Sequence, residues 1–235
     1  MPQLLSESFV NQPVQKPQTL SDQVVERLQT DIVKGVLVPG SKLSEAVLSS
    51  TYGVSRGPLR EAILQLEGRG LIVKRPRAGI SVVSLSFAEL IDIYIVREAL
   101  EGMACRLAAT TMSDGDISEL KALLERHRVM VSQEAGKSYY QQEGDFDFHY
   151  RVIIGSGNAK LTHSLCGELY HLVRMYRYRL STMQGRPAQA LKEHAQIVDA
   201  IEARDGELAE LLMRRHISAA RKNIEQHYAQ GLIAL

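Results

Sequence analysis

The sequence predicts a mainly α protein, with a winged helix-turn-helix at its N-terminal end and an antiparallel all-α bundle behind it. Three observations carry that reading. Apolar residues recur at helical spacing through most of the chain. Two short β-branched runs, Leu71-Ile72-Val73 and Ile80-Ser81-Val82-Val83, flank the turn-forming stretch Arg75-Pro76-Arg77-Ala78-Gly79, and beyond Ser86 no segment reads as a strand. Apolar residues make up 45% of the chain while aromatics are 6% and Trp is absent, which suits an aliphatic helical core.

The N-terminal elements follow from local chemistry. Met1 to Gln18 is rich in Gln, Pro and Ser and reads as a flexible tail. Thr19-Leu20-Ser21-Asp22 has the form of a helix start, and Leu20, Val24, Val25, Leu28, Ile32 and Val33 then recur on one face until Gly35, with Pro39-Gly40 as a turn. Lys42-Leu43 is extended. Ser44 caps a short helix that ends by Gly53. Ser55 caps the next, where Pro58 falls in the first turn and its missing N–H costs nothing. Gly68 and Gly70 end it, and the hairpin follows. Two helices joined by a tight turn, then a hairpin, make a helix-turn-helix with a wing.

Behind the hairpin, helical patterns cover about 87–111, 116–135, 138–155, 159–184, 187–203 and 206–230, separated by glycine-bearing breaks. Six helices with short connections predict an antiparallel bundle. The chain therefore divides into a tail (1–18), a winged domain (19–84) and an all-helical domain (85–235), the last expected to bind an effector and dimerise on the resemblance described below.

Composition narrows the function. A net charge of +1 argues against a protein that coats nucleic acid indiscriminately. The distribution is uneven: residues 19–84 hold nine Lys/Arg against six Asp/Glu, and residues 85–235 hold eighteen against twenty. A basic front and an acidic rear fit a DNA reader attached to a part that does not touch DNA. Cys105 and Cys166 lie apart in apolar stretches without CxxC spacing, as buried reduced thiols of a cytoplasmic protein do. No apolar run approaches the ~18 residues of a membrane span, and the N-terminus lacks the form of a signal peptide.

A reading helix needs side chains near its N-terminus that reach base edges and phosphates. Arg56 takes the first helical position and Arg60 follows one turn later on the same face. Arginine contacts guanine bidentately in the major groove, and Ser55 with the leading N–H groups can hold a phosphate. Arg75 and Arg77 stand at the wing tip, where Gly79 allows close approach.

The rear half carries polar residues on apolar helices. Asp145 and His149, four apart, are expected on one helix face, with His194 and His216 on two others. A bundle can converge three helices on one interior point. One carboxylate and three imidazoles then suit a divalent ion: Zn²⁺ first, with Ni²⁺ or Mn²⁺ possible. A histidine on an apolar helix is also commonly just a hydrogen-bonded core residue. The remaining histidines, His127, His163, His171 and His227, receive no role.

Gly35-Val36-Leu37-Val38-Pro39-Gly40-Ser41-Lys42-Leu43-Ser44-Glu45, then Gly53-Val54-Ser55-Arg56-Gly57-Pro58-Leu59-Arg60-Glu61-Ala62-Ile63, Gly70-Leu71-Ile72 and Gly79 resemble the DNA-binding half of the GntR family of bacterial regulators. The resemblance implies DNA contact by Ser55, Arg56, Arg60 and Gly79. Gly57 and Ala46 depart from the polar residue and the arginine that members often place there, so each removes one possible contact. Asp145 to His149, Gly157-Asn158, Glu193-His194, His216 and Arg97-Glu98-Ala99-Leu100-Glu101 are similar to the FCD subfamily, in the branch with a six-helix effector domain. That implies metal binding by Asp145, His149, His194 and His216. It also implies a small carboxylate effector gripped by an arginine, for which Arg97 stands first, with Asn158, Arg151 and Tyr150 behind it. Arg97 has an equal alternative as the i,i+4 partner of Glu101.

The expected function is a ligand-responsive transcription repressor, binding a roughly palindromic duplex as a homodimer. Two rival readings are a metal-dependent hydrolase using the same four residues to activate water, and a sensor of the metal ion itself. No motif positions a further acid or base, and the winged segment would be idle in a hydrolase.

Overall fold

The computed structural model describes residues 18–133, 147–180 and 186–232. Helix α1 (Leu20–Val33) opens with a full capping box, in which Thr19 and Asp22 satisfy each other's backbone N–H groups. A two-residue strand β1 (Lys42–Leu43) leads to α2 (Glu45–Tyr52), capped by Ser44 and ended by Gly53 at φ 67°. Helix α3 (Arg56–Gly68) then precedes β2 (Ile72–Arg75) and β3 (Gly79–Val82). The three strands form one antiparallel sheet in the order β1-β3-β2, with Lys42 opposite Ser81 and Arg75 opposite Gly79. Val24, Leu28 and Ile32 of α1 are buried with Leu59 and Leu66 of α3 and with Leu71 and Ile72 at the sheet. This is a winged helix-turn-helix, and Gly79, at φ 85°, adopts the left-handed conformation that turns the wing tip.

The second part contains α4 (Phe87–Thr111), α5 (Asp114–Gln133), α6 (Phe148–Gly155), α7 (Ala159–Thr162), α8 (Tyr170–Leu180), α9 (Arg186–Glu202) and α10 (Gly206–Ala229). Helix α4 starts with a second capping box, between Ser86 and Glu89. It packs along α10, while α5 packs on α9 and α6 on α4. Every described strand lies before Ser86, as expected. No helix among the described residues is long and apolar enough to cross a membrane.

One expected helix differs. The continuous helix over 159–184 is interrupted. Between α7 and α8, residues His163–Glu168 form a π-helical turn that contains Gly167, a weak helix former. Of the helix expected over 138–155, the described part is α6, capped by Asp147, whose backbone is extended (φ −104°, ψ 119°) and whose carboxylate accepts the His149 N–H; residues 138–146, Asp145 among them, lie outside the described residues.

The two parts touch through α8. Helix α1 packs against it, and the Tyr176 hydroxyl accepts the backbone N–H of Leu85 in the connecting segment at 2.8 Å. At the other end of the connection, Phe87 stacks on Tyr228 with ring centroids 3.9 Å apart. Cys105 and Cys166 are free. Burial pushes both thiols up, Cys166 to about 12, so neither is a reactive thiolate.

Close packing of α10 on α4 makes a stability prediction. A Cβ on Gly206 would stand 2.9 Å from the Arg106 carbonyl oxygen, which is backbone and cannot swing away. Gly206→Ala is expected to destabilise by about 1–3 kcal/mol, whereas Gly68→Ala, with open space around it, should be neutral or stabilising by up to about 1 kcal/mol. Urea unfolding of the two variants checks this, and equal midpoints would contradict it.

Candidate functional site

Three histidines meet in the bundle. His149 is the second residue of α6, with His194 on α9 and His216 on α10, all buried. One nitrogen from each ring lies within 4.8 Å of the others. The Nε2 atoms of His194 and His216 are 3.2 Å apart. Two imidazoles on one tetrahedral Zn²⁺, each bonded at about 2.0–2.1 Å, would place their nitrogens about 3.4 Å apart, so the spacing fits.

The surroundings prepare these rings as ligands. Burial lowers the pKa of His149 and of His194, and brings His216 down to about 4. All three are neutral near pH 7, the form that binds metal. Two carboxylates hold ring nitrogens from behind. Glu101 Oε2 lies 2.6 Å from His149 Nδ1, and Glu193 Oε2 lies 2.6 Å from His216 Nδ1. Burial alone would raise the Glu101 pKa, but the Arg97 guanidinium and the hydrogen bonds from Arg97 and His149 overcome it and keep the carboxylate ionised. Because His149 is neutral, Arg97 is its charge partner, and His149 supplies a hydrogen bond.

A second buried ion pair adjoins the cluster. Arg177 on α8 donates to both oxygens of the fully buried Asp147, the nearer at 3.0 Å. Burial would favour the neutral guanidine; the Asp147 charge outweighs that and holds Arg177 firmly cationic. Its charge reaches His149 and His194. The buried His127 is also close enough for its charge to act on His194.

The expected effector residues are not gathered in one place. Arg97 is buried beside the cluster, its Nε on Glu101 Oε1 at 2.7 Å and its guanidinium over the Tyr94 ring. Asn158 caps α7 through its side-chain oxygen. Arg151 pairs with the exposed Glu119 across α5 and α6. Tyr150 lies beside Tyr170 of α8, centroids 5.5 Å apart.

Reading from sequence missed Glu101, Glu193 and Arg177 as parts of the site. Glu101 was visible as the i+4 neighbour of Arg97, and Glu193 as the residue before His194. No sequence pattern marked Arg177 within its run of alternating Tyr and Arg.

At the opposite end, Ser55, Arg56 and Arg60 are exposed at the start of α3. Ser55 occupies the cap position but makes no side-chain cap bond. Arg60 Nε pairs with Glu45 of α2 at 2.8 Å, with side-chain exposures of 65% and 30%. Such a surface pair contributes about 0–1 kcal/mol and gives way readily to a phosphate or base. Arg75, Arg77 and Gly79 form the exposed tip of the wing, Arg77 at φ 62°.

A winged helix-turn-helix that exposes arginines on its second helix, joined to a helical bundle with a buried polar centre, defines a DNA-binding regulator with a separate helical part. Residues 20–82 match the bacterial regulatory proteins of the gntR family, and residues 92–219 match the FCD domain. The chain belongs to the GntR family of bacterial regulators and carries an FCD domain. It is 27% identical over 209 residues to the HTH-type transcriptional repressor RspR of Escherichia coli (strain K12), covering 89% of this chain and 90% of that protein. It is 30% identical over 211 residues to the HTH-type transcriptional repressor GlaR of the same strain, covering 86% and 94%. The solved structure of E. coli McbR/YncC shares the fold, with a TM-score of 0.68 at 21% identity over 89% of this chain and 99% of that one.

Depressed histidine pKa values make stability depend on pH. An unfolded histidine titrates near 6.5; His216 and His171 titrate at about 4 in the fold. The folded state binds fewer protons, so this contribution is complete above about pH 6.5 and is lost as pH falls towards 4. The urea midpoint of metal-free protein should fall over that window, and His216→Gln should flatten the slope. A midpoint constant from pH 7 to 4 would contradict the burial argument.

Proposed function

We propose that this protein is a ligand-responsive transcription repressor, a cytoplasmic homodimer that releases its operator when a small organic acid binds beside a divalent metal in the bundle. The observation that carries this reading is the buried cluster His149, His194 and His216, within 4.8 Å, in a chain whose other end offers exposed Arg56 and Arg60. The repressor sense follows the names of RspR and GlaR.

The three imidazoles would hold the metal, with Asp145 as the fourth ligand by its resemblance to the family pattern. Zn²⁺ suits this set first, then Ni²⁺ or Mn²⁺. The bound metal would supply an open position for a carboxylate oxygen. Arg97 would grip the acid, and Arg177 adds positive charge on the other side. Tyr150 adjoins the same helix pair; Asn158 and Arg151, occupied at a cap and a surface pair, are the weaker contributors. We read the role as binding rather than catalysis, because the two described carboxylates beside the cluster, Glu101 and Glu193, are taken up by arginines and histidine ring nitrogens.

Dimerisation has support in the apolar residues exposed on the paired helices α4 and α10: Ile95, Val96 and Met103, with Leu208 and Leu211. A twofold dimer presents two α3 helices to a roughly palindromic duplex. The signal has a short path. Arg177 answers to Asp147, which caps the helix carrying His149, and the adjacent Tyr176 holds the Leu85 N–H between the two parts. A ligand that moves α6 or α8 changes the angle of the reading helices, and it releases DNA to the extent that it prefers the non-binding geometry.

Two measurements test this. Fluorescence anisotropy with duplexes from the gene's own promoter region should show Arg56→Ala and Arg60→Ala each costing about 1–3 kcal/mol, while Arg75→Ala or Arg77→Ala weakens all sequences alike with a shallower salt dependence. Purified protein should also carry near-stoichiometric metal that the His194→Ala/His216→Ala variant lacks. Duplex binding unchanged by the arginine substitutions would sink the DNA reading; metal content unchanged in the histidine variant would sink the metal reading.

A further inference from the structure

Glu101 and Glu193 stand behind two of the three imidazoles in different ways. At Glu101 the two oxygens are divided: Oε1 accepts from Arg97 Nε at 2.7 Å and Oε2 takes His149 Nδ1 at 2.6 Å. Both side chains of the Arg97–Glu101 pair are 3% exposed, so no water substitutes for a lost partner. At Glu193 a single oxygen, Oε2, takes both cationic and imidazole partners, Arg186 Nη1 at 2.8 Å and His216 Nδ1 at 2.6 Å; Oε1 accepts from the Gln189 amide at 3.1 Å.

We infer that Glu101 is the residue that sets the tautomer of His149, holding its proton on Nδ1 so that Nε2 is presented to the metal, and that Arg97 locks Glu101 into this role. The inference rests on the metal reading above. An arginine can only donate, whereas a neutral imidazole carries its proton on either nitrogen. With Arg97 fixed on one oxygen, the other is open to a single kind of partner, a donor N–H. His149 therefore carries its proton on Nδ1, and Nε2 keeps its lone pair. Carboxylate–histidine pairs of this kind orient metal ligands and raise their basicity. Glu193 does the same for His216 less stringently, because its second oxygen meets an amide that can turn over.

The difference predicts unequal effects of one isosteric change. In Glu101→Gln the carbonyl oxygen must stay with Arg97, which cannot accept, so the new NH₂ faces His149 Nδ1. The imidazole answers by moving its proton to Nε2, which blocks that nitrogen from a metal. In Glu193→Gln the carbonyl can remain with Arg186 and His216 while the NH₂ meets the Gln189 oxygen after an amide turn. His216 keeps its tautomer.

The experiment titrates Zn²⁺ alone into metal-stripped full-length protein against a chromophoric chelator, alongside ¹⁵N-imidazole NMR of the metal-free forms. Glu101→Gln is expected to weaken Zn²⁺ binding towards the upper end of the about 10–100-fold range of such changes, and Glu193→Gln by less than about 10-fold. Arg97→Met/Glu101→Gln should recover most of the loss, because without the guanidinium the glutamine carbonyl can turn back to Nδ1–H. Relief of the stranded Arg97 charge would also give this recovery, so the His149 tautomer separates the two: a charge-balancing role leaves the proton on Nδ1 in Glu101→Gln. NMR should place the His149 proton on Nδ1 in the wild type and on Nε2 in Glu101→Gln. Equal affinities in the two single variants, or a double variant no better than Glu101→Gln, overturn the assignment while leaving metal binding intact. If wild-type protein binds no Zn²⁺, the metal reading falls and this inference with it. Should Glu101→Gln fail to fold, the wild-type spectrum decides: a proton on Nε2 of His149 overturns the proposal.

Discussion

A carboxylate can be kept in a dry interior only if a cation and hydrogen-bond donors fill its lone pairs, and Glu101 is where this chain meets that requirement. Its location on α4, the long helix that α6 and α10 both pack against, makes its partners structural necessities for the whole bundle. Arg97 must be one turn back on the same helix, and His149 must arrive from α6 with a donor nitrogen. The second buried pair, Asp147 with Arg177, imposes the same demand between α6 and α8. Breaking either pair would leave an uncompensated interior charge, a cost of about 3–5 kcal/mol. The polar centre therefore fixes the relative placement of α4, α6 and α8 more sharply than apolar packing among interchangeable aliphatic residues would.

Helix α8 turns that placement into a connection. Consecutive residues on it face different duties: Arg177 reaches back to the cap of α6, and Tyr176 reaches forward to the backbone between the two parts. His171, near its start, is buried where the charge of Arg69, just after α3, can act on it. The π-helical turn before α8 re-phases the side chains that follow it, because an i→i+5 turn takes up more residues than an α turn. A straight helix over 159–184 would present α8 in a different rotation, and the two contacts made by Tyr176 and Arg177 would not both be met.

Much of this was legible in the residues. Thr19 with Asp22, Ser44 and Gly53 fixed the ends of α1 and α2 through their own hydrogen bonds and backbone preferences, which are local and so readable. The hairpin around Gly79 was readable for the same reason. An imidazole on an apolar helix is as commonly a hydrogen-bonded core residue, so the three histidines stood apart from the other four only through the resemblance to the FCD pattern. Asp147 was not seen as a cap and a buried ion-pair partner, because that role depends on Arg177 thirty residues away. Glu193 was overlooked because adjacent helix residues point about 100° apart, and only the packing of α10 on α9 shows that it, like His194, serves the cluster. Arg97 was left between two uses, and the structure displays the contact of its Nε with Glu101.

These relations bear on how large a response the protein can give. A ligand moves an equilibrium only by its difference in affinity for the two geometries. A guanidinium that is shared with Glu101 before the ligand arrives has part of its hydrogen-bonding capacity already committed, so an incoming carboxylate gains less from it than from an unpaired one. On the same reading an exchange occurs at the DNA end, where Arg60 would leave Glu45 to meet a phosphate or base. The two exchanges differ in size because of burial. The Arg60–Glu45 pair is in solvent and its loss costs little, whereas the Arg97–Glu101 pair is 3% exposed and resists being pulled apart. Reading DNA is thus a low-barrier rearrangement at the surface. On the proposed reading, sensing works by adding a partner to an intact buried network and shifting the helices that carry it, not by dismantling that network.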